Sequence, residues 1–111
     1  MNQDHFEPWV RKISSLVEAE KVAFKKHCIL RMRQRAISVN EFKEAMKKAE
    51  FVEFYEGDYP FPSALILGYT SGERPLHAVV SLGQDNGILW VITLYEPTTK
   101  LWSDDFKKRR G

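Results

Sequence analysis

Cysteine is almost missing from this chain of 111 residues, where Cys28 stands alone. That excludes an intrachain disulfide and a cysteine-rich zinc site. The six glycines are scattered, so no glycine-rich loop is available to cradle a nucleotide phosphate. No HExxH pair occurs, and no serine stands in a nucleophile-elbow context. No apolar run approaches the roughly 20 residues that a membrane-spanning helix requires. Met1 to Trp9 contains Asp4 and Glu7 and lacks the apolar stretch of a secretory leader. The net charge is only +2, too small for the whole-molecule field to dictate a polyanionic partner. These absences lead us to expect one cytoplasmic domain over residues 1–111, with no metal, no cofactor and no membrane association.

What charge there is falls unevenly. Nine Lys/Arg lie between Lys21 and Lys48 against only Glu41 and Glu44, and the chain closes Lys107-Lys108-Arg109-Arg110. Glu50, Glu53, Glu56 and Asp58 make the stretch between them acidic. A polyanion would meet the early helices and the tail, not the middle. An apolar content of 43%, with 13% aromatic, suits a globular domain with a single modest core.

Pro8 is well placed to open a helix, and Trp9, Ile13, Leu16 and Val17 recur at helical spacing, predicting a helix over 8–22. A second helix is expected from Lys25 or Lys26 to Arg35. At about 100° per residue its apolar stripe is Cys28, Ile29, Met32 and Ala36, and His27, Arg31 and Arg35 form the adjoining stripe. Ser38-Val39-Asn40-Glu41 is a capping box that starts a third helix, expected to end near Glu50 with Phe42, Ala45, Met46 and Ala49 on its core face. Strands are then predicted at Phe51–Tyr55, Ala64–Thr70, Pro75–Leu82 and Ile88–Tyr95, with Gln84-Asp85-Asn86-Gly87 as a tight hairpin and the last strand central. Leu101–Arg110 reads as a short helix or an extended tail in which Trp102 and Phe106 dock. The expected architecture is α+β, with three helices packed on one face of a four-stranded antiparallel sheet.

Two groups of side chains suggest phosphate chemistry. Guanidinium groups four residues apart, Arg31 and Arg35, can chelate one phosphate or bridge two, with His27 on the same stripe. Strand alternation places His77 with Val79 and Ser81, and places Thr93 and Tyr95 with Leu89 and Val91. If the register joins these faces, imidazole, hydroxyl and phenol line one cleft. Such a cleft would support metal-independent RNA cleavage. His77 or His27 would take the ribose 2′-OH proton, the arginines would stabilise the phosphorane, and Tyr95 or the second histidine would protonate the leaving 5′ oxygen. Arg74 joins the expected phosphate contacts. The competing reading pairs Arg31 and Arg35 with Glu53, Glu56 or the tail, makes His27 an ordinary helix-start histidine, and treats Tyr95 as packing at a strand end. His5, Glu18/Glu20 and Asp104-Asp105 are read as having no special role.

The segments KHCILRMRQRAIS (26–38), RPLHAVVSL (74–82) and GILWVITLYEP (87–97), followed by LW (101–102) and FKKRR (106–110), resemble a family of small bacterial and archaeal domains of unknown function. That family looks like a branch of the RelE-like toxin class, whose fold is shared with barnase-type and EndoU-type ribonucleases. The resemblance runs from about Phe24 to Arg110 and treats 24–110 as the toxin-like core and 1–23 as an added N-terminal helix. It implies an endoribonuclease toxin of a toxin–antitoxin pair, with RNA as substrate and a cognate antitoxin protein as partner. The shared polar residues fall on His27, Arg31, Arg35, His77, Thr93, Tyr95 and, in the tail, Arg109. One departure is plain: ribosome-dependent relatives carry lysine and arginine on their strands, and here the strands have almost none beyond Arg74. The rival function classes are a non-catalytic RNA- or protein-binding module of the same fold, and a binder of small phosphorylated ligands. Burial separates them, because catalysis needs these groups to open onto one water-accessible cleft.

Overall fold

A computed structural model describes residues 7–83 and 87–111 of the chain. His5 and most of the expected hairpin turn, residues 84–86, lie outside the described residues. The elements run α1 (Glu7–Glu18), β1 (Val22–Phe24), α2 (Lys26–Gln34), α3 (Val39–Met46), β2 (Glu50–Tyr55), β3 (Ser63–Tyr69), β4 (Pro75–Ser81) and β5 (Leu89–Tyr95). The architecture is α+β, but the sheet is five-stranded and mixed, in the order β1-β5-β4-β3-β2. The four-stranded antiparallel expectation is therefore corrected by one strand. β1 pairs parallel with β5, Val22 opposite Leu89 and Phe24 opposite Val91.

The missed strand follows from where α1 stops. The helix was expected to reach residue 22 but ends at Glu18, because Glu20 adopts a left-handed backbone, φ 59°. The Glu20 N–H donates to Val17 O at 3.1 Å and the Lys21 N–H to Leu16 O at 2.9 Å. This is the Schellman arrangement that closes a helix and turns the chain away. The freed residues 22–24 then supply an edge for β5. α2 ends in the same way: Ala36 has φ 54°, its N–H reaches Arg33 O, and the Ile37 N–H reaches Met32 O at 2.9 Å. Neither site holds the glycine that normally marks such an end, so periodicity alone overran the first. α3 begins as expected, with the reciprocal Ser38–Glu41 bonds of the capping box both at 3.0 Å, but it stops at Met46, short of Glu50.

One sheet face carries the core. Ile13, Leu16 and Val17 of α1, Cys28 and Met32 of α2, and Phe42, Ala45 and Met46 of α3 bury against Ala64, Ile66, Leu76, Ala78, Val80, Leu89, Val91 and Leu94. Phe42 meets Phe24 edge-on at 5.3 Å, and a fully buried side chain of this size contributes about 1.5–3 kcal/mol. Gly68 permits a close approach of α3 to β3. A Cβ built there would lie 2.0 Å from the carbonyl oxygen of Ala45, so any side chain at 68 would force α3 away from β3.

The opposite face begins with Leu65 and Leu67 of β3, both buried yet outside that core. Residues 101–110 fold over one end of it without regular structure, held by a bridge between Trp102 and Arg109. The tail is neither a helix nor extended: it doubles back through a turn in which the Ser103 N–H donates to Lys108 O at 2.7 Å and the Phe106 N–H to Ser103 O at 2.8 Å, and Trp102 docks, only 3% exposed. Among the described residues no helix is long and apolar enough to cross a membrane.

Candidate functional site

The site is assembled where β4 and β5 pair. His77 stands opposite Tyr95 and Val79 opposite Thr93, but Val80 then stands opposite Val91. Ile92 is therefore an extra residue in β5, a bulge that shifts side chains by one position. Upstream of it, Leu89 and Val91 point into the helical core; downstream, Thr93 and Tyr95 share the opposite face with His77. The expectation that Thr93 and Tyr95 share a face with Leu89 and Val91 is corrected by this bulge. Strict alternation cannot reveal an inserted residue, because every position beyond it reverses sides.

His77 is 0% exposed, and both of its ring nitrogens are engaged. Nε2 lies 2.8 Å from the Phe106 carbonyl oxygen and Nδ1 3.0 Å from the Tyr95 hydroxyl. A carbonyl can only accept, so Nε2 carries the proton and Nδ1 accepts from Tyr95. The ring lies edge-on to Trp102, centroids 4.5 Å apart. Burial lowers the His77 pKa below its ordinary 6.5, with the Phe106 carbonyl and the charge of Glu53 opposing. Burial likewise raises Tyr95, partly offset by Arg109. The pair is neutral near pH 7.

Arg109 locks the tail over this pair. Its Nε and one terminal nitrogen bond the two Glu53 carboxylate oxygens, each at 3.0 Å, and its guanidinium carbon lies 4.7 Å from the Trp102 ring centroid. Tyr55 donates to Glu53 at 2.5 Å. Burial acts to raise Glu53, but the hydrogen bonds of Arg109 and Tyr55 prevail and its pKa is lowered. Tyr55 is pushed up to about 12 by burial and by its bond to Glu53. Lys107 adds a second tie to Glu50.

The α2 stripe is different in kind. His27 and Arg31 are exposed, and among the described residues their side chains make no hydrogen bond or ion pair. Arg35 donates to Leu94 O at 2.8 Å, along the stretch of β5 that short β1 leaves uncovered. Its charge reaches Tyr95, helping to lower a pKa that burial raises. Arg35 therefore links the stripe to the histidine–tyrosine pair, while His27 lies eight residues away, about 12 Å along the helix.

Arg74 is committed within the fold. It donates to Glu96 at 2.7 Å, Glu41 at 3.0 Å, Ala36 O at 2.8 Å and Arg35 O at 3.0 Å, clamping the α2–α3 junction to the sheet. Thr93 is half-buried beside Val79, two residues from Tyr95 along the same face of β5. The structure thus gathers His77, Tyr95, Arg109 and Arg35, leaves His27 and Arg31 on the surface, and commits Arg74 to Glu41, Glu96 and two backbone carbonyls. Glu53 and Tyr55 were not singled out in the sequence as partners of the tail. Their one-residue spacing on a predicted strand, set against a basic tail, was the available signal.

Among the described residues no three His, Cys, Asp or Glu side chains cluster as metal ligands. Cys28 is buried, and that burial raises its thiol pKa. No curated protein and no solved structure gives a significant match to the chain. The model of a domain of unknown function, DUF4258, matches residues 24–96, from β1 through the end of β5. Because that match covers more than half of the chain and includes α2, β4 and β5, this protein belongs to the DUF4258 family.

Proposed function

We propose that this protein is an RNA-binding α+β module, in which the α2 stripe receives phosphates and the His77–Tyr95 pair holds the C-terminal segment to the sheet. The observation that carries the reading is the contrast in burial. His77 is fully enclosed with both nitrogens bonded, whereas His27 and Arg31 are exposed. An enclosed imidazole with no free nitrogen cannot take a proton from a ribose hydroxyl. Arg31, exposed and with no carboxylate partner among the described residues, keeps its donor fork for phosphate oxygens.

A second reading has its own support. The resemblance to the RelE-like toxin class, together with the convergence of His77, Tyr95, Arg35 and Arg109, favours a metal-independent endoribonuclease neutralised by a cognate antitoxin. In that reading the tail must lift before His77 can act as base, with Tyr95 as acid.

One experiment separates them. The purified chain is incubated with labelled single-stranded RNA, both binding and cleavage are followed, and the chain is then expressed in a bacterial host. The binding reading expects complex formation, weakened in Arg31→Ala and His27→Ala, with RNA left intact. New RNA ends and growth arrest, both abolished in His77→Ala, would replace it with the toxin reading. No affinity for RNA would overturn it outright.

A further inference from the structure

A second feature on the helix-free sheet face belongs to neither the His77 pair nor the α2 stripe. Trp90 pairs with Ser81, and so stands on the same face as His77, four residues along β4 from it. Beside it opens a cleft of about 530 Å³, bounded by Lys25, Asp58, Tyr59, Phe61, Trp90 and Ile92. The C-terminal segment does not line it.

Its chemistry is specific. Tyr59 is 95% exposed, and Trp90 is half-buried. Lys25 holds its ammonium 4.5 Å from the Trp90 ring centroid and makes no ion pair among the described residues. Asp58 has one carboxylate oxygen engaged by the Ser63 hydroxyl, which leaves the other to accept. Stacking surface, unpaired cation and a single acceptor are what an unstacked nucleobase and its flanking phosphate require. Lys25 is also the residue that directly precedes α2, two positions before His27.

We propose that this cleft seats an unpaired base of single-stranded RNA. The base stacks on Trp90 and Tyr59, Lys25 swings from the indole to the adjoining phosphate, and the free Asp58 oxygen accepts from a base N–H. This proposal rests on the RNA-binding reading and adds to it a base-stacking subsite on the sheet, distinct from the phosphate contacts on α2. A protein segment with an aromatic anchor is the competing occupant. It would leave RNA affinity indifferent to the presence of bases.

The test measures affinity of the full chain for a single-stranded RNA decamer and for the same decamer made abasic. The variants are Tyr59→Ala, which removes an exposed ring with little risk to folding, and Arg31→Ala. The expected result is that the native chain prefers the decamer with bases by about tenfold or more. Tyr59→Ala should lose most of that preference, whereas Arg31→Ala should weaken both ligands alike. Equal binding of both decamers by the native chain, or full affinity in Tyr59→Ala, overturns the cleft proposal and leaves RNA binding standing. Failure to bind either decamer overturns both.

Discussion

The imidazole of His77 meets the indole of Trp102 edge-on, with centroids 4.5 Å apart and planes at 86°. This contact joins a histidine in the middle of a sheet to a tryptophan in a segment without regular structure. It explains how a polar ring is accommodated with no exposed surface: the tail supplies both an apolar cover and, through Phe106, the acceptor for Nε2.

A pH dependence of stability follows. In the folded chain the His77 pKa is lowered, chiefly by burial; in the unfolded chain it returns to about 6.5. Above pH 6.5 both states hold a neutral ring and no difference arises. Below it the unfolded chain takes up a proton that the folded chain refuses, so stability falls as the pH drops toward the folded pKa. The slope is at most one proton, about 1.4 kcal/mol per pH unit. Urea unfolding at pH 7.5 and 5.5 should show the native chain weaker at 5.5, with the difference removed in His77→Phe. Glu41 and Glu53 titrate below their ordinary 4.5 and do not act in this window.

Arg74 is expected to matter to the fold rather than to RNA. It bonds two carboxylates and two backbone carbonyls at the α2–α3 junction, a set that needs the planar guanidinium fork. Arg74→Ala should cost about 1–3 kcal/mol of unfolding free energy, and Arg74→Lys should recover only part of it. RNA affinity measured on the folded fraction should not change in either variant.

The strands at 51–55, 64–70 and 75–82, the second helix and the Ser38 capping box were all legible in the sequence, because each rests on local periodicity or side-chain chemistry. What was not legible depends on the backbone or on distant partners. A three-residue strand at Val22–Phe24 has no period to read; it exists because β5 offers an edge. The Ile92 bulge leaves no compositional mark, yet it decides which β5 side chains meet His77. The site was half visible. His77 and Tyr95 do meet and Trp102 does dock, but nothing local indicates that the surface Trp102 and Arg109 cover is that of His77, far back in the sequence.

The helix ends without glycine give a prediction of opposite sign to most substitutions. Ala36 holds φ 54° and is exposed. A β-carbon in the left-handed region is unfavourable by about 1–2 kcal/mol, part of which glycine returns through its unfolded-state entropy. Ala36→Gly should therefore stabilise the chain by about 1 kcal/mol. Thermal unfolding would record an upward shift; no change or a loss would mean that the left-handed turn is not what closes α2.

The covered histidine also gives a way to tell cleavage from binding without an RNA substrate. If the tail is a permanent part of the fold, Trp102→Ala should open a cavity, lower stability by about 3–5 kcal/mol and bring the His77 pKa back toward 6.5 as water reaches the ring. If instead the tail is a cover that lifts in use, Arg109→Ala alone should suffice. It removes the bidentate bond to Glu53 and the cation over Trp102, and the side chain is largely exposed, so the core is untouched. Titration of His77 by nuclear magnetic resonance in Arg109→Ala, together with its chemical modification, distinguishes the cases. A ring still lowered below 6.5 and slow to react with an imidazole-modifying reagent fits the structural role given to His77. Removing the Arg109 charge by itself lets the His77 pKa rise, so fast modification of the ring is the deciding sign: it would mean that the Glu53–Arg109 pair is a latch over His77, and would make the endoribonuclease reading the stronger one.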